Sequence, residues 1–157
     1  MAAGHGIPEA ALAILRTPPG PEQAFDQAIP LLTVDEAGFP HVALLSRGQL
    51  RPGSGPAELL AAVSGPGTRA NLLARPRATV VLVSGQTAYY LTCTVAGSAE
   101  HAGRLGVVLR LAGCTADSAG VDLSPLGFRF SAELAGREGW EADARVLDLL
   151  GKRARPG

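Results

Sequence analysis

Cysteine is scarce in this sequence. Cys93 and Cys114 are its only two, 21 positions apart and outside any CxxC pair. A small secreted scaffold stapled by disulfides needs more than that. A zinc site needs ligands at regular spacing, which the scattered His5, His41 and His101 do not provide. Neither a disulfide framework nor a metal centre is expected. Aromatic residues are also few, at four Phe, two Tyr and one Trp, too sparse for a surface on which bases stack. An excess of either charge is missing, because 14 Lys and Arg balance 14 Asp and Glu. Nothing electrostatic therefore draws the chain to nucleic acid or to an anionic membrane. No apolar run approaches the ~20 residues of a spanning helix. Met1 to Gly6 lacks the basic and apolar regions of a secretory leader. The expectation is a cytoplasmic protein with neither nucleic-acid nor membrane partners.

What the chain does have is apolar material, 46% of 157 residues, ample for one core at single-domain length. No repeat or long linker divides residues 1–157. Pro8 to Arg16 reads as a short amphipathic helix with Ala11, Leu12 and Leu15 on one face. Thr17-Pro18-Pro19-Gly20-Pro21 stops it, so residues 1–20 form a helix and a proline-rich connector. Beyond this point the pattern is mostly extended. Ile29 to Val34 and Phe39 to Ser46 flank Asp35-Glu36-Ala37-Gly38 as a hairpin, in which Asp35 and Glu36 are solvated turn formers. Ala78 to Val83 and Thr87 to Val95 make a second hairpin around Ser84-Gly85-Gln86. Tyr89 and Tyr90, being adjacent, point to opposite faces. Val107 to Leu111 favours strand, and Phe128, Phe130, Ala132 and Leu134 alternate as a half-buried strand. Residues 141–151 close the chain as a helix marked by Val146, Leu147, Leu149 and Leu150 and ended by Gly151. The fold class expected is mainly β (α+β), a small barrel or sandwich with a few helices.

One segment carries chemistry: Ser64-Gly65-Pro66-Gly67-Thr68-Arg69-Ala70-Asn71-Leu72-Leu73-Ala74-Arg75-Pro76. Two glycines and a proline form a tight loop, Thr68 is placed to cap the residues after it, and these suit a helix until Pro76. Free amides at such a start attract anions, with Thr68 and Arg69 adding a hydroxyl and a charge. An ordinary turn leading into a capped helix fits the same residues. The segment is neither a Walker loop nor a GxGxxG fingerprint. No Ser-His-Asp or Cys-His order marks a nucleophilic site, and the catalytic residues are unassigned.

In order, the chain reads "PLLTVDEAGFPHVALLS", then "GPGTRANLLARPRATVVLV", then "TAYYLTCTVAG". This order, with T-x-x-N-L-x-x-x-P-x-A before a valine-rich strand, resembles the pyridoxamine 5′-phosphate oxidase-like family of FMN-binding split barrels over roughly Ile29 to Gly97. The resemblance implies a six-stranded antiparallel split β-barrel, assembled as a homodimer with FMN across the subunit interface. It also implies that Glu58 to Val63 is a strand, although "AELLAA" by itself favours helix. By position, Thr68 and the residues beside it, Gly67 and Arg69, meet the flavin phosphate, Asn71 belongs to the same cofactor site, His41 and Ser46 face the cofactor, and Ala61, Ala62 and Ser64 line its edge. The chain departs from the family where phosphate-binding cations are usual. Thr68 and Ser46 stand where Lys is common, and Gly67 precedes Thr68, leaving Arg69, Arg47 or Arg51 to compensate. The function implied is an FMN-dependent oxidoreductase acting on a small molecule. The alternatives are a cofactor-free split-barrel dimer serving as a binding or stress-related module, and an unrelated small barrel for an apolar ligand.

Overall fold

The computed structural model describes residues 6–16, 25–129, 137 and 139–153. Helix α1 (Glu9–Arg16) comes directly after Pro8, whose carbonyl accepts from the amides of Ala11 and Leu12 at 3.0 Å each. Its Ala11 and Leu15 are buried, as the amphipathic pattern predicts. The strands are β1 (Phe25–Gln27), β2 (Ile29–Val34), β3 (Pro40–Leu45), β4 (Leu50–Pro52), β5 (Glu58–Val63), β6 (Arg77–Ser84), β7 (Thr87–His101), β8 (Arg104–Ser118) and β9 (Gly127–Arg129). Helix α2 (Pro66–Ala74) lies between β5 and β6, and α3 (Trp140–Arg153) comes last.

Seven strands form one antiparallel sheet in the order β3-β2-β6-β7-β8-β5-β4. Its two edges, β3 and β4, are joined in sequence by Ser46 and a single 3₁₀ turn, Arg47–Gln49. A sheet whose edge strands are so closely tethered has to curl. The result is a half-closed barrel with its core inside. Ile29, Leu31, Leu59, Ala61, Val80, Leu91, Val107 and Leu109 fill that interior. Alternate residues of each strand point inward, which places hydrophobic side chains on one face at period two. Helix α1 packs on both β4 and β6, from opposite halves of the sheet, and so bridges the barrel mouth.

Six of the expected strands are in this sheet, as many as the barrel requires, and β4 is a seventh. Three residues containing Arg51 and Pro52 give no hydrophobic alternation to detect. The β7–β8 hairpin is far longer than the apolar runs suggest, at 15 residues a strand. Register shifts at Thr92/Cys93 and Val95/Gly97 break its alternation. The bulge after Val95 also reverses the phase of β7. Leu91 and Cys93 face the barrel core, whereas Ala99 faces outward, where α3 covers it with Leu60 and Ala62. The strand expected from Phe128 to Leu134 enters the structure only as β9, paired with β1 in a separate two-stranded ribbon; its residues 130–134 lie outside those described. Glu58 to Val63 is a strand despite its local preference for helix, since Leu59, Ala61 and Val63 face the core and Leu60 and Ala62 face α3. Gly151 does not end α3, which continues to Arg153.

Candidate functional site

Helix α2 starts differently from the expectation. Its N-cap is Gly65 and Pro66 opens the first turn, with no side chain capping it. Proline suits that position because its missing amide has no helical partner to lose. Thr68 therefore lies within the helix rather than at its cap. The first turn leaves the amides of Gly67 and Thr68 without a partner inside the helix, while the Arg69 amide donates to the Gly65 carbonyl at 3.0 Å. Gly67 is exposed and Thr68 is 2% exposed.

Strand β3 brings His41 to this turn, since its register partner Thr33 faces the core near α2. The His41 Nε2 and Thr68 Oγ1 atoms share a hydrogen bond of 3.1 Å. The imidazole lies over Gly67 so closely that a β-carbon there would come within 3.2 Å of its Cε1 atom. A side chain at this position would need the imidazole to shift by a few tenths of an ångström. Asn71, one turn on, is a brace. Its Nδ2 donates to Thr33 Oγ1 at 3.0 Å, and its Oδ1 accepts from Arg75 Nη2 at 3.1 Å. Arg75 Nε donates to the Val34 carbonyl at 2.8 Å. Together these bonds fix α2 to the end of β2.

The structure thus gathers His41, Gly67, Thr68 and Asn71 at one end of the barrel, with half-buried Ser64 leading into the helix. The other predicted residues lie apart. Arg69 reaches sideways, with Nη2 3.3 Å from Glu100 Oε1 on β7. Ser46 sits at the far end of β3 from His41. It is buried, and its amide donates to Gln49 Oε1 at 3.0 Å. Ala61 and Ala62 are fully buried on opposite faces of β5, one in the barrel core and one beneath α3. Sequence reasoning misses Thr33, Arg75 and Glu100. Thr33 has a signal, a hydroxyl on the inward register of Ile29 and Leu31. Arg75 and Glu100 have none.

An anion at this turn meets main-chain amides, the positive end of a helix dipole and the His41–Thr68 pair. Those features suit an anionic group such as a phosphate. The arginines that sequence offers as counter-charges are engaged elsewhere. Besides Arg69 with Glu100, Arg47 donates to the Ile14 carbonyl at 3.3 Å and Arg51 to Asp148 Oδ1 at 2.8 Å. The one lysine, Lys152, belongs to α3. Two surface grooves, of about 390 and 280 Å³, flank α3 and touch none of these residues except Arg51 and Lys152. They have volume without the chemistry, so the α2 turn is the stronger candidate.

The fold has counterparts among solved structures. An F420 reductase superposes with a TM-score of 0.53 at 14% identity, covering 69% of this chain and 98% of its own. An FMN-binding protein from Syntrophomonas wolfei subsp. wolfei gives 0.55 at 13%, covering 70% and 85%. The styrene monooxygenase flavin reductase of Pseudomonas putida S12 gives 0.50 at 12%, covering 67% and 87%. The likeness is one of fold. No protein-family model matches the sequence, and no curated protein matches it. Among the described residues no helix is long and apolar enough to cross a membrane, and no cluster of three metal-ligating side chains occurs.

Proposed function

We propose that this chain binds a flavin, either FMN or a related deazaflavin, with the anionic end at the start of α2, and that it serves oxidation or reduction of a small molecule. The observation that carries the proposal is the uncapped turn Gly65-Pro66-Gly67 beside His41, in a fold similar to those of an F420 reductase, an FMN-binding protein and a flavin reductase. A bound flavin supplies the hydride chemistry, and the protein supplies binding and orientation. The Gly67 and Thr68 amides donate to the anion, the His41–Thr68 pair flanks it, and Asn71 holds the helix in place. Without an arginine or lysine on the phosphate, charge-assisted bonds each worth about 1.5–3 kcal/mol are missing, so the expected affinity is micromolar.

One arrangement favours a second reading, a cofactor-free binding module: Arg69, Arg47 and Arg51 all point away from the turn. A single preparation separates the two. The protein is purified without added cofactor, its visible spectrum is recorded, and any released small molecule is identified by mass. FMN and a deazaflavin are then titrated into the apoprotein. A retained flavin, or micromolar binding of either compound, supports the first reading. Absence of binding by both leaves the second.

A further inference from the structure

Helix α3 packs on the outer face of β5 and leaves a groove of about 390 Å³ between its last two turns and the edge strand β4. That groove lacks the amides that mark the start of α2, but it suits a smaller occupant. Small-molecule pockets run from ~300 to ~1,000 Å³ and pair apolar walls with a few polar groups. Here Leu60, Leu147 and Pro52 supply the apolar lining. The wall also contains Gly151, and no packing explains a glycine there. Glycine is a poorer helix former than any residue but proline, yet α3 runs through this position to Arg153. A β-carbon on Gly151 would meet nothing within 4 Å, unlike one on Gly106, which would strike α3. The space over Gly151 is therefore open to a molecule from outside, as a bare backbone allows.

The charges of the groove decide which occupant fits. Arg51 Nη1 donates to Asp148 Oδ1 at 2.8 Å, joining β4 to α3. That bond uses one guanidinium N–H of five, and the Arg51 side chain makes no other among the described residues. Lys152 is exposed and makes no hydrogen bond or ion pair among them. Two cations thus face one carboxylate, which leaves a single positive charge beside an apolar wall. A monoanion balances that charge, whereas a cation is repelled and a dianion exceeds it. The smaller groove shares Asp148 and Lys152 but has only Leu149 as apolar lining, so an apolar body belongs in the larger one. We infer that the larger groove binds a small amphiphilic monocarboxylate. Lys152 and Arg51 hold its carboxylate, and its apolar body lies along Leu60, Leu147 and Pro52 over Gly151. The inference does not depend on the flavin reading.

Calorimetric titration of the whole chain with octanoate tests it, beside 1-octanol and octylamine as uncharged and cationic counterparts. Circular dichroism establishes that each variant is folded. Octanoate is expected to bind at one saturable site with near-millimolar affinity, as so small a ligand permits, and the counterparts more weakly. Methyl NMR should show the largest shifts at Leu60 and Leu147. Gly151→Leu places a side chain in the groove and should weaken octanoate binding by about 10-fold or more. Lys152→Glu should weaken it by about 10-fold or more, and Lys152→Arg by about 2-fold or less. Heat that never saturates, or equal affinity for octanoate and 1-octanol, overturns the inference. So does binding indifferent to the folded Gly151→Leu and Lys152→Glu variants, or methyl shifts confined to residues away from Leu60 and Leu147.

Discussion

Asn71 has the sequence position of a cofactor contact, yet its side chain is spent on the protein itself. Amide nitrogen and oxygen are both bonded, to Thr33 and Arg75, in a site where Asn71 is 5% exposed. Replacing it with Ala strands the Thr33 hydroxyl in the core. Urea denaturation should show a loss of about 1–3 kcal/mol. Thr33→Val with Asn71→Leu should cost less than the two single changes added, because the polar partners then leave together. The position of Asn71 is legible in the spacing from Thr68 to Pro76. Its use is not, because its partners come from β2 and from the next turn of helix. The two cysteines also differ in a way sequence does not display. Burial, and secondarily the nearby Cys114, pushes the Cys93 thiol up to about 11 from its ordinary 9.0, and burial raises Cys114 as well. An alkylating reagent at neutral pH should therefore modify the exposed Cys114 well before the buried Cys93. Folded Cys93 keeps its proton where the unfolded chain has lost it. Cys93 should thus subtract from stability as pH climbs from about 9 to about 11, a slope that Cys93→Ala should flatten.

At the level of elements, the docking of α3 depends on one residue without a side chain. A β-carbon on Gly106 of β8 would lie 2.8 Å from Leu150 Cδ1 and 2.9 Å from Val146 Cγ2. Gly106→Val should push the helix off the sheet, lowering stability by about 1–3 kcal/mol and altering the fluorescence of Trp140 at the helix start. The buried Asp143 carboxylate, 3.2 Å from Arg104 Nε, ties the same helix to the β7–β8 hairpin. The hydrophobic period of α3 is readable in Val146, Leu147 and Leu150. Its extension past Gly151 is not, since glycine marks a helix end only when it takes a left-handed conformation, and Gly151 is not among the glycines with positive φ. Both hairpin turns are readable because Gly38 and Gly85 do adopt positive φ, at 88° and 59°. The strand β5 is legible only through resemblance: "AELLAA" carries a helical preference, and burial on both faces overrides it. The short β4 and the bulged outer part of β7 lack the alternation by which strands are recognised.

For the whole molecule, the sequence indicates a β-rich single core, and the curled sheet is present with seven strands where six are implied. The site is less legible. Resemblance collects nine residues by position, and the fold brings His41, Gly67, Thr68 and Asn71 together, with Ser64 leading in. Ser46 lies at the other end of β3, the two alanines of β5 are enclosed, and Arg69 turns to Glu100. Chain order sets which strand a residue belongs to, but the inward or outward direction of each side chain depends on register and bulges. What remains at α2 is the proposed anion site, made of backbone amides and one imidazole. Calorimetric titration of the apoprotein with FMN, with a phosphate-bearing deazaflavin and with riboflavin, which lacks the phosphate, probes that claim most directly. The account predicts micromolar binding of FMN or of a phosphate-bearing deazaflavin and much weaker binding of riboflavin, with the gap narrowing when His41 is replaced by Ala. Riboflavin binding as tightly as its phosphorylated counterpart, or no binding of either FMN or a deazaflavin, would contradict it.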